Sequence, residues 1–201
     1  MNEEEKYICF GNALLEQTHI FYQFSEGLMR ISDKNLELII HKSERKCGRN
    51  SLWESGSHSP GRDQEVDGVP VSSKSSKLNK NNFQLSSYRL TKCKMIEDFV
   101  TEIKKRDESF TKYLVCLTEE INNKHIVRWG FIEKDKADIA NTEWEFTYNK
   151  KDGSSNGLRS LDGKFKIVFS MSKQLWLSFT LSDFDIICTY EYELKNTNAG
   201  E

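Results

Sequence analysis

Hydrophobic positions follow two different periods along the chain. Near the start they follow helical spacing: Ile8, Leu14, Leu15, Phe21, Phe24 and Leu28 come after an acidic cluster, Glu3 to Glu5. That pattern predicts a helix over residues 3 to 30, with acids at its positive end and the apolar stripe in the core. Asp33 has the chemistry of an N-cap for a second helix carrying Leu36, Ile39 and Ile40. Residues 41 to 50 then turn basic and hydrophilic. The following stretch, CGRNSLWESGSHSPGR at 47 to 62, is rich in glycine and serine and predicts a loop with one helical turn around Trp53.

Further on, the period drops to two. Asp67-Gly68 predicts a tight hairpin between flanking strands, because both central residues of such a turn need positive φ. A strand is expected at Asn82 to Arg89, then a helix capped by Thr91 with Met95, Ile96, Phe99, Val100 and Ile103 on its apolar face. Strands at Lys112 to Thr118 and His125 to Ile132 complete a ββ(β)αββ core. In the last third, Trp144 to Tyr148, Phe165/Ile167/Phe169, Leu175/Leu177/Phe179/Leu181 and Ile186 to Leu194 read as strands. Lys150 to Gly163 reads as a Gly/Ser-rich loop, and Asn196 to Glu201 as a frayed end.

The pattern predicts an α+β fold with a mixed, antiparallel-rich central sheet flanked by helices. It also predicts one domain over 1–201: a helical part at 1–46, a core at 47–133 and a β-rich part at 134–195.

Composition narrows the class. A net charge of −2 with 30% charged and 37% hydrophobic residues describes a soluble domain. The longest apolar runs, Leu36 to Ile40 and Tyr113 to Leu117, fall far short of the roughly 20 residues that cross a bilayer. The opening residues lack a basic-then-apolar run, so no signal peptide is expected. Cys9, Cys47, Cys93, Cys116 and Cys188 are odd in number and widely spaced, which argues against a disulfide framework or a zinc site. A reducing, intracellular (cytoplasmic) setting is therefore expected, with Cys93 and Cys116 as packing thiols.

Charge is unevenly spread. From Gly68 through Met95 there is no acidic residue, while Lys74, Lys77, Lys80, Arg89, Lys92 and Lys94 are basic. Polar residues, Gln84 among them, interleave these charges, a mixture suited to the phosphates of a polyanion. With Asp67 and Gly68 as the turn, antiparallel pairing sets Asp63 opposite Ser72, and alternation sends Ser72 and Lys74 to one face and Val69, Val71 and Ser73 to the other. A carboxylate and an ammonium are thereby brought close.

Here the residues carry a resemblance. Pro60-Gly61-Arg62-Asp63, a short gap, then Ser72-Ser73-Lys74 resembles the PD-(D/E)XK nuclease motif of many type II restriction endonucleases, in which an aspartate and an acid-x-lysine triplet lie on adjacent strands. The likeness extends over roughly residues 45 to 132, including Trp53-Glu54, the polar strand Phe83 to Leu90 and the helix after it. It implies a restriction-endonuclease-like fold with residues 47–133 as the catalytic part, and Mg²⁺-dependent, sequence-specific cleavage of double-stranded DNA by a homodimer. Asp63 is then a Mg²⁺ ligand, the carbonyl of Ser73 a second, and Lys74 the residue that orients or deprotonates the attacking water. Ser72 stands where the family has a carboxylate, and a neutral hydroxyl is a poor ligand for a hard dication. Glu54 is the first candidate for the displaced carboxylate and Glu65 the second.

Further DNA contacts are expected from Arg62 and His58 in the loop before the hairpin, and from Lys77, Lys80, Gln84 and Arg89. Asn156 and Arg159, in the predicted 150–163 loop, are candidates for reading bases. Trp176 falls opposite the apolar positions of its strand, exposed or at a subunit interface. Alternatives are a repair or nicking nuclease, a non-catalytic DNA-binding protein on a degenerate nuclease fold, and a protein-interaction domain.

Overall fold

The computed structural model describes residues 2–51, 64–66, 68–108, 110–137, 139 and 141–194. Among them are three helices, α1 (Glu3–Ser25), α2 (Asp33–Lys46) and α3 (Ile96–Asp107). Ten strands accompany them: β1 (Gln64–Val66), β2 (Val69–Lys77), β3 (Asn82–Arg89), β4 (Lys112–Ile121), β5 (Lys124–Glu133), β6 (Trp144–Tyr148), β7 (Ser155–Ser160), β8 (Phe165–Val168), β9 (Gln174–Thr180) and β10 (Asp185–Glu193). The fold is mixed α+β with mostly antiparallel strands.

Where one central sheet was expected, there are two. The first runs β1-β2-β4-β5-β10, the second β3-β9-β8-β7-β6. Among the described residues only β2 and β4 pair in parallel. Parallel neighbours need a long crossover, and β3 with α3 supplies it. β3 therefore leaves its neighbour in sequence and joins the C-terminal strands, while β10 returns to the first sheet beside β5.

β4, at the centre of the first sheet, is buried on both faces. Tyr113, Val115 and Leu117 of β4 point to a core shared with α3 and the second sheet, and Leu114 and Cys116 point to a core shared with α1 and α2. A strand packed on both sides needs the continuous apolar run seen at 113–117. Trp129 of β5 is fully buried on the helical side, where its indole Nε1 donates to Thr18 Oγ1 at 2.9 Å.

Several expected boundaries move. α1 ends at Ser25, not near residue 30: Glu26 and Gly27 take positive φ of 50° and 77°. A Cβ on Gly27 would also lie 2.8 Å from side-chain atoms of Tyr192 and Leu194, so this turn favours glycine on both counts. The buried face of α1 is Phe10, Ala13, Leu14, Thr18 and Tyr22, whereas Ile8, Phe24 and Leu28 are exposed, Phe24 by 87%. Ser32, not Asp33, holds the N-cap position of α2.

Thr91 does not cap α3. The helix starts at Ile96, and the Asp98 carboxylate accepts from the backbone N–H of Lys94 and Met95, each at 3.1 Å. Those two bonds hold the Asp98 carboxyl below its ordinary range. Phe99 and Ile103 are buried as expected, but Met95 is exposed. The predicted 150–163 loop contains β7, and Phe169 and Leu181 lie in short 3₁₀ turns after their strands. The predicted turn around Trp53 and the frayed C-terminal end lie outside the described residues.

The cysteine expectation is also corrected. Cys9, near the start of α1, and Cys47, just after α2, are joined by a disulfide. The antiparallel packing of the two helices brings together residues 38 apart in sequence, a proximity that spacing alone does not reveal. The cysteines thus give no ground for a reducing compartment. Cys93 and Cys116 are buried and not disulfide-bonded. No helix among the described residues is long and apolar enough to cross a membrane.

Candidate active site

The β1–β2 hairpin pairs Gln64 with Val71, Glu65 with Pro70 and Val66 with Val69, the register implied by a turn at 67–68. Gly68 carries the positive φ, 79°. β2 does not end at the hairpin. It continues along β4, with Ser72 beside Tyr113, Ser73 beside Leu114 and Lys74 beside Val115.

That register sorts the side chains. Paired residues share a face, so Gln64, Val71 and Ser73 lie toward α1 and α2, while Glu65, Ser72 and Lys74 lie on the face of Tyr113, Val115 and Leu117. Ser73 Oγ donates to Gln64 Oε1 at 2.9 Å, and Gln64 Nε2 donates to the Glu37 carbonyl of α2 at 2.8 Å. These bonds fasten the helical face of the hairpin. On the other face Ser72 is only 1% exposed and Lys74 is half-buried. Ser76, next along that face, donates its hydroxyl to the Gln84 carbonyl at 2.7 Å, which ties β2 to the start of β3.

The structure therefore brings Glu65, Ser72 and Lys74 to one face and turns Ser73 to the other. Asp63, Glu54, Arg62 and His58 lie outside the described residues. Glu65 is the carboxylate that the described part of the hairpin contributes. No group of three or more His, Cys, Asp or Glu side chains gathers among the described residues.

The other candidates separate. Lys77 and Lys80 are exposed at and beyond the end of β2, and Arg89 is exposed at the end of β3, opposite Gln174. Gln84 lies on the outer face of the second sheet, where its Nε2 donates to Ser178 Oγ at 3.1 Å and its Oε1 accepts from Lys166 Nζ at 3.5 Å. Asn156 and Arg159 are on β7, not in a loop. Asn156 Oδ1 accepts from Thr147 Oγ1 at 2.7 Å, and Arg159 donates through Nε (3.1 Å) and Nη2 (2.5 Å) to Glu145 Oε1. Trp176 is half-buried, with Lys166 Nζ 5.9 Å from its ring centroid.

Two features escaped the sequence. One is a cleft lined by His41 and Arg45 of α2, by Arg49 just after it, and by Glu65 and Gly68 of the hairpin. The basic run at 41–50 was visible, but not its approach to the hairpin. His41 Nδ1 lies 2.9 Å from Ser51 Oγ; burial, then the neighbouring Arg45 charge, lowers its pKa below the ordinary value. The other is the alignment of Trp176, Lys166 and Arg159 across three strands, which depends on register between strands that sequence does not state. Set against models of protein families, against curated proteins and against solved structures, the chain matches none.

Proposed function

We propose that the protein is a Mg²⁺-dependent endonuclease for double-stranded DNA, of the type II restriction kind, working as a homodimer in the cytoplasm on a restriction-endonuclease-like fold. The observation that carries this reading is the β1–β2 register. The proposal requires that register to run one pair further, which sets Asp63 opposite Ser72 and beside Lys74, with Glu65 on the same face. A mixed sheet carrying the two motif strands side by side supports the reading, as does the basic stretch from Lys74 to Lys94.

In this reading Asp63, the Ser73 carbonyl and either Glu54 or Glu65 hold the ion in place of the acid that Ser72 lacks. Bound there, Mg²⁺ stabilises charge on the attacking and leaving oxygens and lowers the pKa of water. Lys74 orients the attacking water and adds positive charge without competing for the metal. Its half-buried position limits screening and strengthens that effect. Lys77, Lys80 and Arg89, with Arg62 and His58, contact the DNA backbone, which fixes position without reading sequence.

One observation favours a second reading. Ser72 is a buried neutral hydroxyl where the motif has an anionic ligand, and that change suits a DNA-binding protein whose metal site has been lost. Incubating unmethylated phage DNA with the protein and its Lys74→Ala variant, with Mg²⁺ or EDTA, separates the two. Discrete bands that need both Mg²⁺ and Lys74 support the restriction enzyme, and nicks or structure-dependent cuts point to a repair nuclease. Intact DNA that still shifts in a binding gel supports the non-catalytic reading.

A further inference from the structure

The outer face of the second sheet carries a single cross-strand row. Register pairs Ser86 of β3 with Trp176 of β9, Trp176 with Lys166 of β8, Lys166 with Arg159 of β7, and Arg159 with Glu145 of β6. Directly paired residues point the same way. The neighbouring positions Phe83, Leu85, Leu158, Phe165, Ile167, Leu175 and Leu177 fill the core behind them, so the row lies on the opposite, outward face.

The row is built rather than scattered. Lys166 is held between the Trp176 ring, 5.9 Å from its Nζ, and Gln84 Oε1 at 3.5 Å. A lysine at an aromatic face keeps its charge while giving up some of its freedom. Arg159 is steadied by two bonds to Glu145 Oε1, yet its side chain remains 57% exposed. Two oriented cations thus sit side by side, flanked by an indole and the Gln84 amide on one side and by the Glu145 carboxylate, paired with Arg159, on the other.

From Ser86 to Arg159 the row crosses three strand spacings, about 14 Å at roughly 4.8 Å each. That is close to the width of about 12 Å of the major groove of B-DNA. The Ser76 to Gln84 bond places the β3 end of the row next to the strand that bears Lys74. Cationic and amide side chains on one sheet face, with an aromatic anchor, complement the phosphates and polar groove edges of a duplex.

We infer that this outer face, with Trp176, Lys166, Arg159 and Gln84 at its centre, is the surface on which the protein holds double-stranded DNA. The inference rests on the proposed DNA substrate. It adds a binding surface on β7, β8 and β9, separate from the hairpin proposed to cut. Lys166 and Arg159, paired on adjacent strands, contact neighbouring phosphates of one DNA strand, Trp176 orients Lys166, and Gln84 joins the surface to β3.

The test is binding of the full chain carrying Lys74→Ala to a fluorescent random-sequence DNA duplex, in EDTA, over a range of salt. Each phosphate contact contributes about −0.9 to the slope of log K against log salt. Changing both Lys166→Gln and Arg159→Gln is expected to reduce that slope by about 1.8, with the circular-dichroism melt unchanged. Lys124→Gln, whose lysine lies on β5 of the first sheet and off this surface, is expected to leave the slope alone.

An unchanged slope in the folded double variant overturns the inference, as does an equal loss in the Lys124 control. Absence of salt-sensitive binding by the parent overturns it as well. Parallel digests with the unsubstituted chain keep the two readings apart. Cleavage with an unchanged slope removes this surface and leaves the nuclease standing; no cleavage with a reduced slope removes the nuclease and leaves the surface.

Discussion

Ser73 Oγ donates to Gln64 Oε1 at 2.9 Å, across the hairpin and on the face turned away from Lys74. Gln64 in turn donates to the Glu37 carbonyl of α2 at 2.8 Å, so one amide links β1, β2 and a helix. Gln64 is 2% exposed and Ser73 7%. A slip of one residue in this pairing would carry Ser73 to the face of Tyr113 and Lys74 to the face of α1 and α2; the amide bridge opposes that slip.

Replacing Gln64 with leucine removes both bonds, and with them the link between β1, β2 and α2. The expected cost is about 1–3 kcal/mol, read as a lower urea midpoint with an unchanged m-value. If the bridge sets the register of Lys74, cleavage also falls in the folded variant. A variant as stable as the parent would show that the bridge does not hold the hairpin.

The bond between Thr18 and Trp129 joins α1 to the middle of the first sheet, and both residues are fully buried. Trp129→Phe leaves the Thr18 hydroxyl unpaired and should cost about 1–3 kcal/mol, whereas Thr18→Val with Trp129→Phe should regain part of it because no orphaned polar group remains. The measurement is a double-mutant cycle in urea. Strictly additive losses would mean that the bond contributes nothing beyond packing.

Cys9 and Cys47 close a loop of 38 residues across α1 and α2. Breaking the bridge by Cys47→Ser, or by a reductant, should lower stability by about 2–4 kcal/mol. Thiol titration in denaturant checks the pairing directly: three reactive thiols, from Cys93, Cys116 and Cys188, before reduction and all five cysteines after it. Five thiols before reduction would place the protein as purified in its dithiol form.

His41 gives the fold a pH dependence. Burial and then Arg45 lower its folded pKa below the ordinary 6.5, so below that value the unfolded chain binds the proton more readily. The contribution is fully present above pH 6.5 and is lost as pH falls through the lowered folded value. Urea midpoints measured from about pH 8 down to about pH 5, around the ordinary histidine range, should decline, and His41→Gln should flatten that decline. Identical pH curves for the two proteins would remove His41 as the cause.

Much of the strand pattern is legible in the sequence. Asn82–Arg89 and Trp144–Tyr148 have the bounds that alternation predicts, and Asp67-Gly68 gives the hairpin register without any structure. What sequence does not show is which strands meet. β3 reads like a third strand of the hairpin sheet, yet its alternating Phe83 and Leu85 pack with Leu175, Leu177 and Phe179. β7 is hidden because Ser155, Asn156 and Gly157 are turn formers by composition, and pairing on both sides overrides that preference.

The candidate site divides in the same way. The shared face of Ser72 and Lys74 follows from alternation alone, as does the opposite face of Val71 and Ser73. The meeting of Gln84 with Lys166 of β8 and Ser178 of β9 depends on strands 82 and 94 residues away, beyond the reach of local pattern. Phe24 and Leu28 show the converse: apolar periodicity marks a helix face but not whether anything covers it.

Single-turnover cleavage of a labelled duplex, comparing the unsubstituted chain with Lys74→Ala at matched DNA occupancy, tests the central claim most directly. The account predicts Mg²⁺-dependent cutting that falls by about 10²–10³-fold in the variant, the loss expected for one charge-stabilising group, while DNA affinity and the thermal melt hold. Equal rates in the two proteins, or no cutting by the unsubstituted chain on DNA that it binds, would contradict it.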